Sequence, residues 1–203
     1  MLPTRIPVLL SLFLMISLHV YSQIAWAIDK DKEGVKVYTR VEEHSEFKSF
    51  KAVMTVAASM DEILKILKDA DGYSKWYGFT KTSRLLKQEK NVQYNYVETI
   101  FPWPYKNRDM VYRMSWDTIN EGAIRIALQG VPDYIGVKGG IVRMKKAVGY
   151  ILLQHSQGIT EVIYEFHSEP GDNVPPWLAN NSIAELPFKT FSGLKKMLNK
   201  KEK

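Results

Sequence analysis

Apolar side chains recur along this chain with two different periods. Val35, Val37, Thr39 and Val41 alternate with Lys36, Tyr38 and Arg40, and residues 47–57 repeat the alternation with β-branched and aromatic side chains throughout. A period of two puts every second residue on one face, so both stretches predict half-buried strands. The polar run Asp29-Lys30-Asp31-Lys32-Glu33-Gly34 ahead of them reads as a turn. The period then changes. Ser59-Met60-Asp61-Glu62 has the capping-box form, and Met60, Ile63, Leu64 and Leu67 recur at helical spacing, which predicts a short amphipathic helix over 59–69. Asp71-Gly72 ends it, and an aromatic segment follows with Tyr73, Trp76, Tyr77 and Phe79.

From residue 81 to residue 167 the chain reads as strand after strand, divided by turn signals at 88–91, 101–107, 120–122, 139–140 and 157–158. That spacing predicts an antiparallel meander. In Pro170-Gly171-Asp172-Asn173 either Asp172 or Asn173 can cap a helix, with Pro175-Pro176 in its first turn. Ala184, Phe188, Phe191, Leu194 and Leu198 then fall four, three, three and four residues apart, giving a long C-terminal helix one apolar face. Pro187 has no N–H to donate, which predicts a kink inside that helix. The order of strands, helix, many strands and long helix packs most simply as an α+β domain, one curved sheet with its concave face covered by the last helix.

The first 22 residues stand apart from this domain. Arg5 precedes a nearly unbroken apolar run over 6–20, about 15 residues against the roughly 20 that a helix needs to cross a bilayer. A cleaved export signal is expected, cut after Ser22 or after Ala27, which leaves a single domain over 23–203 in the periplasm, or secreted. The chain contains no Cys, so neither a lipid-modified N-terminal cysteine nor a disulfide contributes. Loss of Arg5 with the signal leaves 27 Lys and Arg against 22 Asp and Glu. That mild excess suits contact with anionic phospholipid and, without a dense basic stripe, argues against nucleic acid. A monomer is expected.

Catalytic signatures are missing from the sequence: it has no Gly-x-Ser-x-Gly elbow, no His-Glu-x-x-His, no phosphate loop and no Gly-x-Gly-x-x-Gly. Asp29-x-Asp31-x-Glu33-Gly34 imitates half of an EF-hand loop, but its twelfth position is Arg40, a cation where calcium needs a bidentate carboxylate. His44, His155 and His167 have no second ligand at metal-binding spacing, so neither metal nor cofactor is expected.

Two strand faces carry the expectation of a ligand. Over 92–100 one face holds Val92, Tyr94, Tyr96, Glu98 and Ile100, and over 108–116 one face holds Met110, Tyr112, Met114 and Trp116. Such faces fill an ordinary core or line a lipid pocket, because Met adapts to irregular apolar shapes. With Phe188, Phe191 and Leu194 of the last helix, Tyr94, Tyr96, Glu98, Met110, Tyr112, Met114 and Trp116 form the expected cavity lining. Glu98 is the sharpest of these, because an ionised carboxylate turned inward costs several kcal/mol unless it is paired. It pairs with a cation such as Arg143 or Arg113, anchors a polar ligand head, or is turned outward by a bulge. The loop 130–140, with Pro132 and four glycines, is a candidate lid or a plain hairpin connection. Lys195, Lys196, Lys200, Lys201 and Lys203 meet an anionic membrane or complement the helix dipole.

Two segments read together resemble the START family of lipid-binding domains. Pro102-Trp103-Pro104-Tyr105-Lys106-Asn107-Arg108-Asp109-Met110-Val111 is similar to the proline-rich turn and Asn-Arg-Asp-apolar-Val with which START domains begin a central strand. Glu169-Pro170-Gly171 followed by Val174-Pro175-Pro176-Trp177-Leu178-Ala179-Asn180 is similar to the opening of the family's C-terminal helix, and Gly34-Val35-Lys36-Val37-Tyr38-Thr39-Arg40 to its first strand. The likeness spans 26–200. It implies the helix-grip, START/Bet v 1-like fold, with a lipid tunnel between a curved sheet and the long last helix. It favours cleavage before Gln23, since Trp26 resembles a tryptophan near the family's start. Arg108-Asp109 is expected to shape the start of its strand by charge pairing rather than to touch ligand. Sterol-binding relatives place a buried arginine further along this strand opposite an acid. This chain offers Met114 there, with Glu98 the residue that can stand for the acid.

Burying a ligand chain is favourable by about 0.8 kcal/mol per methylene, so a chain of about 16 carbons gains on the order of 10 kcal/mol before ordering costs. The resulting expectation is a carrier that holds a lipid or other apolar molecule and moves it between membranes or partners without catalysis. An aromatase or cyclase acting on polyketides, as among relatives of the wider fold, would need an acid or base in the cavity, for which Glu98, Tyr94, Tyr96 and Tyr112 are the candidates. A filled interior would instead point to a protein-interaction module.

Overall fold

The computed structural model describes residues 25–171 and 174–199. The expected export signal over 1–22, the capping candidates Asp172 and Asn173, and Lys200, Lys201 and Lys203 lie outside the described residues.

Ten strands form one sheet: β1 (Ala27–Lys32), β2 (Val35–Glu42), β3 (Ser45–Val56), β4 (Thr80–Glu89), β5 (Val92–Thr99), β6 (Arg108–Asn120), β7 (Ala123–Gly130), β8 (Val142–Arg143), β9 (Lys146–Ser156) and β10 (Ile159–Glu169). Across the sheet they run β1-β2-β3-β10-β9-β7-β6-β5-β4, while the two residues of β8 pair in parallel with the start of β6. Between β3 and β4 lie α1 (Met60–Lys68) and a 3-10 turn over Ala70–Lys75, and the chain closes with α2 (Pro176–Ser182) and α3 (Glu185–Asn199). The curved, otherwise antiparallel sheet and the C-terminal helix make a helix-grip fold.

Local chemistry explains the boundaries. The turn expected over 29–34 shrinks to Glu33-Gly34, whose φ angles of 56° and 71° turn the chain tightly enough for Asp31 to pair with Lys36 as part of β1. Left-handed φ at both central positions is the geometry of a two-residue hairpin. In α1 the Ser59 side chain accepts from Glu62 N while the Glu62 carboxylate accepts from Ser59 N, so the capping box forms as the sequence suggests. The single kinked C-terminal helix does not form. The helix breaks at 183–184, and Pro187 falls in the first turn of α3, where a backbone N–H would have no intrahelical partner in any case. Pro175 takes the cap position ahead of α2.

The inner face of the sheet, α1, the 3-10 turn and α3 enclose one core, whose fully buried members include Met54, Ile63, Met114, Ile126, Leu153, Tyr164, Phe191 and Leu194. Glycines set how closely α3 approaches. A methyl at Gly193 would overlap the Trp76 backbone carbonyl, and one at Gly78 would come within 2.7 Å of Leu186 O. Gly78 N also donates to Thr190 Oγ1 at 3.1 Å. The aromatic segment after α1 is therefore the surface on which the last helix rests.

The loop after β7, the candidate lid, lies instead against the outer face of β5 and β6. Arg143 forks onto the two carboxylate oxygens of Asp109 at 2.8 and 3.1 Å and donates to the carbonyls of Pro132, Ile135 and Gly136. Tyr134 stacks on Tyr94 at 4.3 Å, nearly parallel. A bidentate arginine with its remaining donors on loop carbonyls holds a loop shut as a fixed cover.

Gly193→Ala should destabilise the protein by about 1–3 kcal/mol, because the contact is backbone on backbone and cannot be relieved by a side-chain rotation. Urea denaturation measures it, and a loss below about 0.5 kcal/mol would contradict this seating of α3.

Candidate ligand site

Where the inner face of the sheet meets the aromatic segment, a void remains, lined by residues that include Tyr73, Trp76, Tyr77, Met110, Tyr112 and Tyr164. Counted as the space open to the centre of a water-sized sphere it is about 20 Å³, room for about one water. Sites for drug-sized ligands hold roughly 300–1,000 Å³. The tunnel that the family resemblance implies is thus closed here, its place taken by the protein's own aromatic and methionine side chains.

The lining is apolar apart from four phenols. Tyr77 and Tyr164 share a hydrogen bond of 2.6 Å, and Tyr73 donates to Leu67 O. Burial pushes the Tyr112 phenol up to about 12, with the neighbouring Tyr73 and Asn95 side chains opposing the shift. Burial likewise holds Tyr73, Tyr77 and Tyr164 far above the ordinary phenol value. All four are neutral at physiological pH and offer hydrogen bonds rather than charge. Beside them Asn95 is fully buried, and its Oδ1 has no hydrogen-bond partner.

The strand pairing sorts the expected site residues. Residues directly opposite in an antiparallel pair point the same way. Met110, Tyr112 and Met114 face inward and line the void. Their partners on β5 are Val97, Asn95 and Gln93, so the inner face of β5 is the opposite one from that expected. Tyr94, Tyr96 and Glu98 lie on the outer face, beside Arg113, Val111 and Asp109. Trp116 is buried in the core with the Lys68 ammonium 4.6 Å from its ring centre. Phe191 packs against Tyr164 behind the void, with ring centres 6.4 Å apart, and Leu194 is buried beside it. Phe188 is only half-buried, at the margin of α3 under Lys30.

The reversal on β5 has a physical cause: both of its faces are covered. Tyr94 is covered by Tyr134 of the loop after β7, and Tyr96 has the Arg84 guanidinium 5.4 Å from its ring centre, so neither meets the interior. Glu98, only 1% exposed, accepts from Asn107 Nδ2 at 2.8 Å and Lys81 Nζ at 3.0 Å, with Lys138 Nζ at 3.8 Å. Neither Arg143 nor Arg113 is its partner, since Arg143 serves Asp109 and Arg113 donates to Ser115. Its outward direction follows the regular alternation of β5, which pairs with β6 without a register shift, while the irregularity beside it lies in β4 between Thr80 and Thr82. Met114 and Glu98 sit on opposite faces, so the acid of a sterol-type pair does not face this position. Arg108 donates to Pro170 O at 3.1 Å and to Lys106 O, while Asp109 pairs with Arg143.

Eight lining residues were not among those expected: Leu67, Tyr73, Trp76, Tyr77, Leu128, Ile151, Tyr164 and Phe166. Val162, Tyr164 and Phe166 alternate on β10, which is signal enough to mark an inward face. Tyr73, Trp76 and Tyr77 stand out as an aromatic cluster, but no period ties them to a wall.

Burial raises the Glu98 pKa, and the hydrogen bonds from Asn107 and Lys81 with the charges of Lys81 and Lys138 outweigh it, leaving the group below the ordinary carboxylate value. A depressed folded-state pKa contributes stability that is present above the unfolded-state pKa and lost as pH falls through the folded-state one. Glu98→Gln should therefore cost about 1–3 kcal/mol at neutral pH, and the difference from the wild type should shrink below about pH 4.5. Denaturation curves at the two pH values measure it. A pH-independent difference would contradict the assignment.

The whole arrangement has close parallels. The START domain family model matches residues 18–203. An uncharacterized protein of Pseudomonas aeruginosa is 34% identical over 177 residues, covering 87% of this chain and 88% of its own length. The phosphatidylcholine transfer protein of Homo sapiens is 26% identical over 165 residues, 76% of this chain and 75% of that one. The crystal structure of a STAR-related lipid transfer protein from Xanthomonas axonopodis superposes with a TM-score of 0.82 at 36% identity, covering 86% of this chain and 98% of that chain. By the extent of the family match, the identity to its relatives and the shared helix-grip architecture, this chain belongs to the START domain family.

Proposed function

We propose that this chain is an exported carrier that takes up a lipid or another apolar molecule between the sheet and α3, moves it between membranes or partners, and does not turn it over. The observation that carries this reading is an adaptable apolar interior in a START domain, with Met110 and Met114 on its wall and no carboxylate or histidine among the described residues that line it. The Homo sapiens and Xanthomonas relatives are named for lipid transfer, which supports the same class of ligand.

A void of about 20 Å³ cannot hold a lipid, so uptake requires α3 to lift and the tyrosine and methionine side chains to swing aside with it. The break at 183–184 between α2 and α3 gives the helix a hinge. Each methylene that replaces a displaced side chain in the interior recovers about 0.8 kcal/mol, so a long acyl chain can offset the opening. The phenols and the unpartnered Asn95 Oδ1 suit a ligand with a polar group at one end.

Export is supported by the apolar run over 6–20. Cleavage before Gln23 is supported by Trp26, whose ring centre lies 4.4 Å from the Arg40 guanidinium and 5.0 Å from Lys51 Nζ, since a cut after Ala27 would remove it. An acid–base enzyme fits less well, because Glu98, Tyr94 and Tyr96 lie outside the interior and Tyr112 is a phenol held neutral.

The filled interior favours a second reading, a protein-interaction module that binds no small molecule. Native mass spectrometry of gently purified protein, with a vesicle-to-vesicle assay of fluorescent phospholipid, separates the two. The carrier reading expects co-purifying lipid and protein-dependent transfer. Protein free of lipid that moves no phospholipid would favour the interaction module.

A further inference from the structure

One wall of the interior void is backed by polar groups, gathered at the C-terminus of α1. Tyr73 donates its hydroxyl to Leu67 O, and Gln93 Nε2 donates to Lys68 O at 3.0 Å. Both acceptors are carbonyls of the last turn of α1, where the helix itself supplies no donor. Paired with Tyr112 across the two strands is Asn95, whose side chain adjoins the Tyr112 hydroxyl and whose Nδ2 donates to Gln93 Oε1 at 3.5 Å. Tyr73 and Tyr112 line the void, so these amides and carbonyls form a second layer behind that wall.

Asn95 Oδ1 is the member of this layer that lacks a partner. Asn95 has 0% exposure, and its Oδ1 accepts no hydrogen bond. A hydroxyl in such a place can rotate to donate, but an amide oxygen can only accept, and a buried acceptor left unmatched is costly. Its surroundings call for a donor too. The carbonyls of Leu67 and Lys68 are the negative end of the α1 dipole. Burial, with the Asp69 carboxylate adding to it, raises the Tyr73 phenol and keeps it protonated. The nearby cations are engaged elsewhere. Lys68 sets its ammonium over the Trp116 ring, 4.6 Å from the centre, and neither residue lines the void. Arg108, four residues before Tyr112 on the same face of β6, donates to Pro170 O and Lys106 O and does not line it either.

We infer that the interior selects an uncharged lipid whose polar end carries a hydrogen-bond donor, a hydroxyl or an amide N–H, and that Asn95 Oδ1 accepts from it once Tyr112 swings aside. The inference deepens the carrier reading and rests on it. An ionised phosphate would meet this wall among acceptors, with no cation on the lining to offset its desolvation. A choline headgroup fits no better, because a quaternary ammonium has no N–H and the phosphodiester and ester oxygens only accept. A lipid alcohol or amide supplies the donor that Asn95 lacks and brings no charge into the core.

Lipids with identical oleoyl chains isolate the donor. Dioleoylglycerol carries a hydroxyl, its acetyl ester replaces that hydroxyl with an acceptor, and dioleoylphosphatidylcholine is charged and has no donor. Binding of each to the full chain from detergent dispersions is measured by gel filtration with mass spectrometry, for the wild type and for Asn95→Leu, which nearly keeps the side-chain shape and removes the acceptor. The wild type should hold the alcohol at least about tenfold more tightly than the ester or the phosphatidylcholine. In Asn95→Leu the alcohol and its ester should bind within about threefold of each other. If that variant does not fold, the wild-type ranking alone decides. Equal affinity of the wild type for alcohol and ester, tighter binding of phosphatidylcholine, or a preference that survives Asn95→Leu would overturn the inference while the carrier reading stands, since lipid is bound in each case. Binding of none of these lipids overturns both.

Discussion

The contact on which the rest of the molecule depends is the backbone-close seating of α3 on the aromatic segment after α1. Two glycines, Gly193 and Gly78, remove the side chains that would hold the elements apart, and Thr190 fixes the register with a hydrogen bond to Gly78 N. Because α3 comes so near, Trp76, Tyr77 and Phe191 are driven into the concave side of the sheet and little space survives between them. The same contact therefore closes the core and sets the cost of opening it. Dispersion and apolar burial supply most of that cost, and they are also the interactions that an incoming hydrocarbon chain can replace atom for atom.

A second constraint organises the opposite face. Burying ionic groups is costly unless each is fully partnered, and here each is used to fasten a loop. Asp109 and Arg143 pin the loop after β7, Arg108 gathers the turn before β6 and the link to α2, and Glu98 joins Asn107 to Lys81 and Lys138. The polar signature Asn107-Arg108-Asp109 thus acts at the outer face and end of the sheet, leaving the interior to apolar side chains, neutral phenols and the uncharged amides of Gln93 and Asn95.

Much of this was legible in the sequence. Strict alternation marked β2 and β3, turn signals divided the later strands, and the capping box marked α1 at its true start. On β6 the inward face was correctly read as Met110, Tyr112 and Met114. On β5 it was not, because there the aromatic residues stand on the outer face, while the inner face carries Gln93 and Asn95 beside Val97, and Tyr94 is covered by Tyr134 of a loop distant in sequence. Pro187 pointed to a kink inside one helix, whereas the chain ends α2 ahead of it and begins α3 with the proline in its first turn. The seating of α3 left no periodic trace: two isolated glycines distant in sequence acquire meaning only once the fold brings each against a backbone carbonyl.

In the proposed carrier the interior opens by release of α3 while the sheet stays intact. Hydrogen–deuterium exchange in the presence and absence of phospholipid vesicles tests it directly. The account predicts faster exchange in α3 and in residues 70–79 when vesicles are present, with β3, β9 and β10 unchanged. Protection of α3 equal to that of those central strands under both conditions would contradict it.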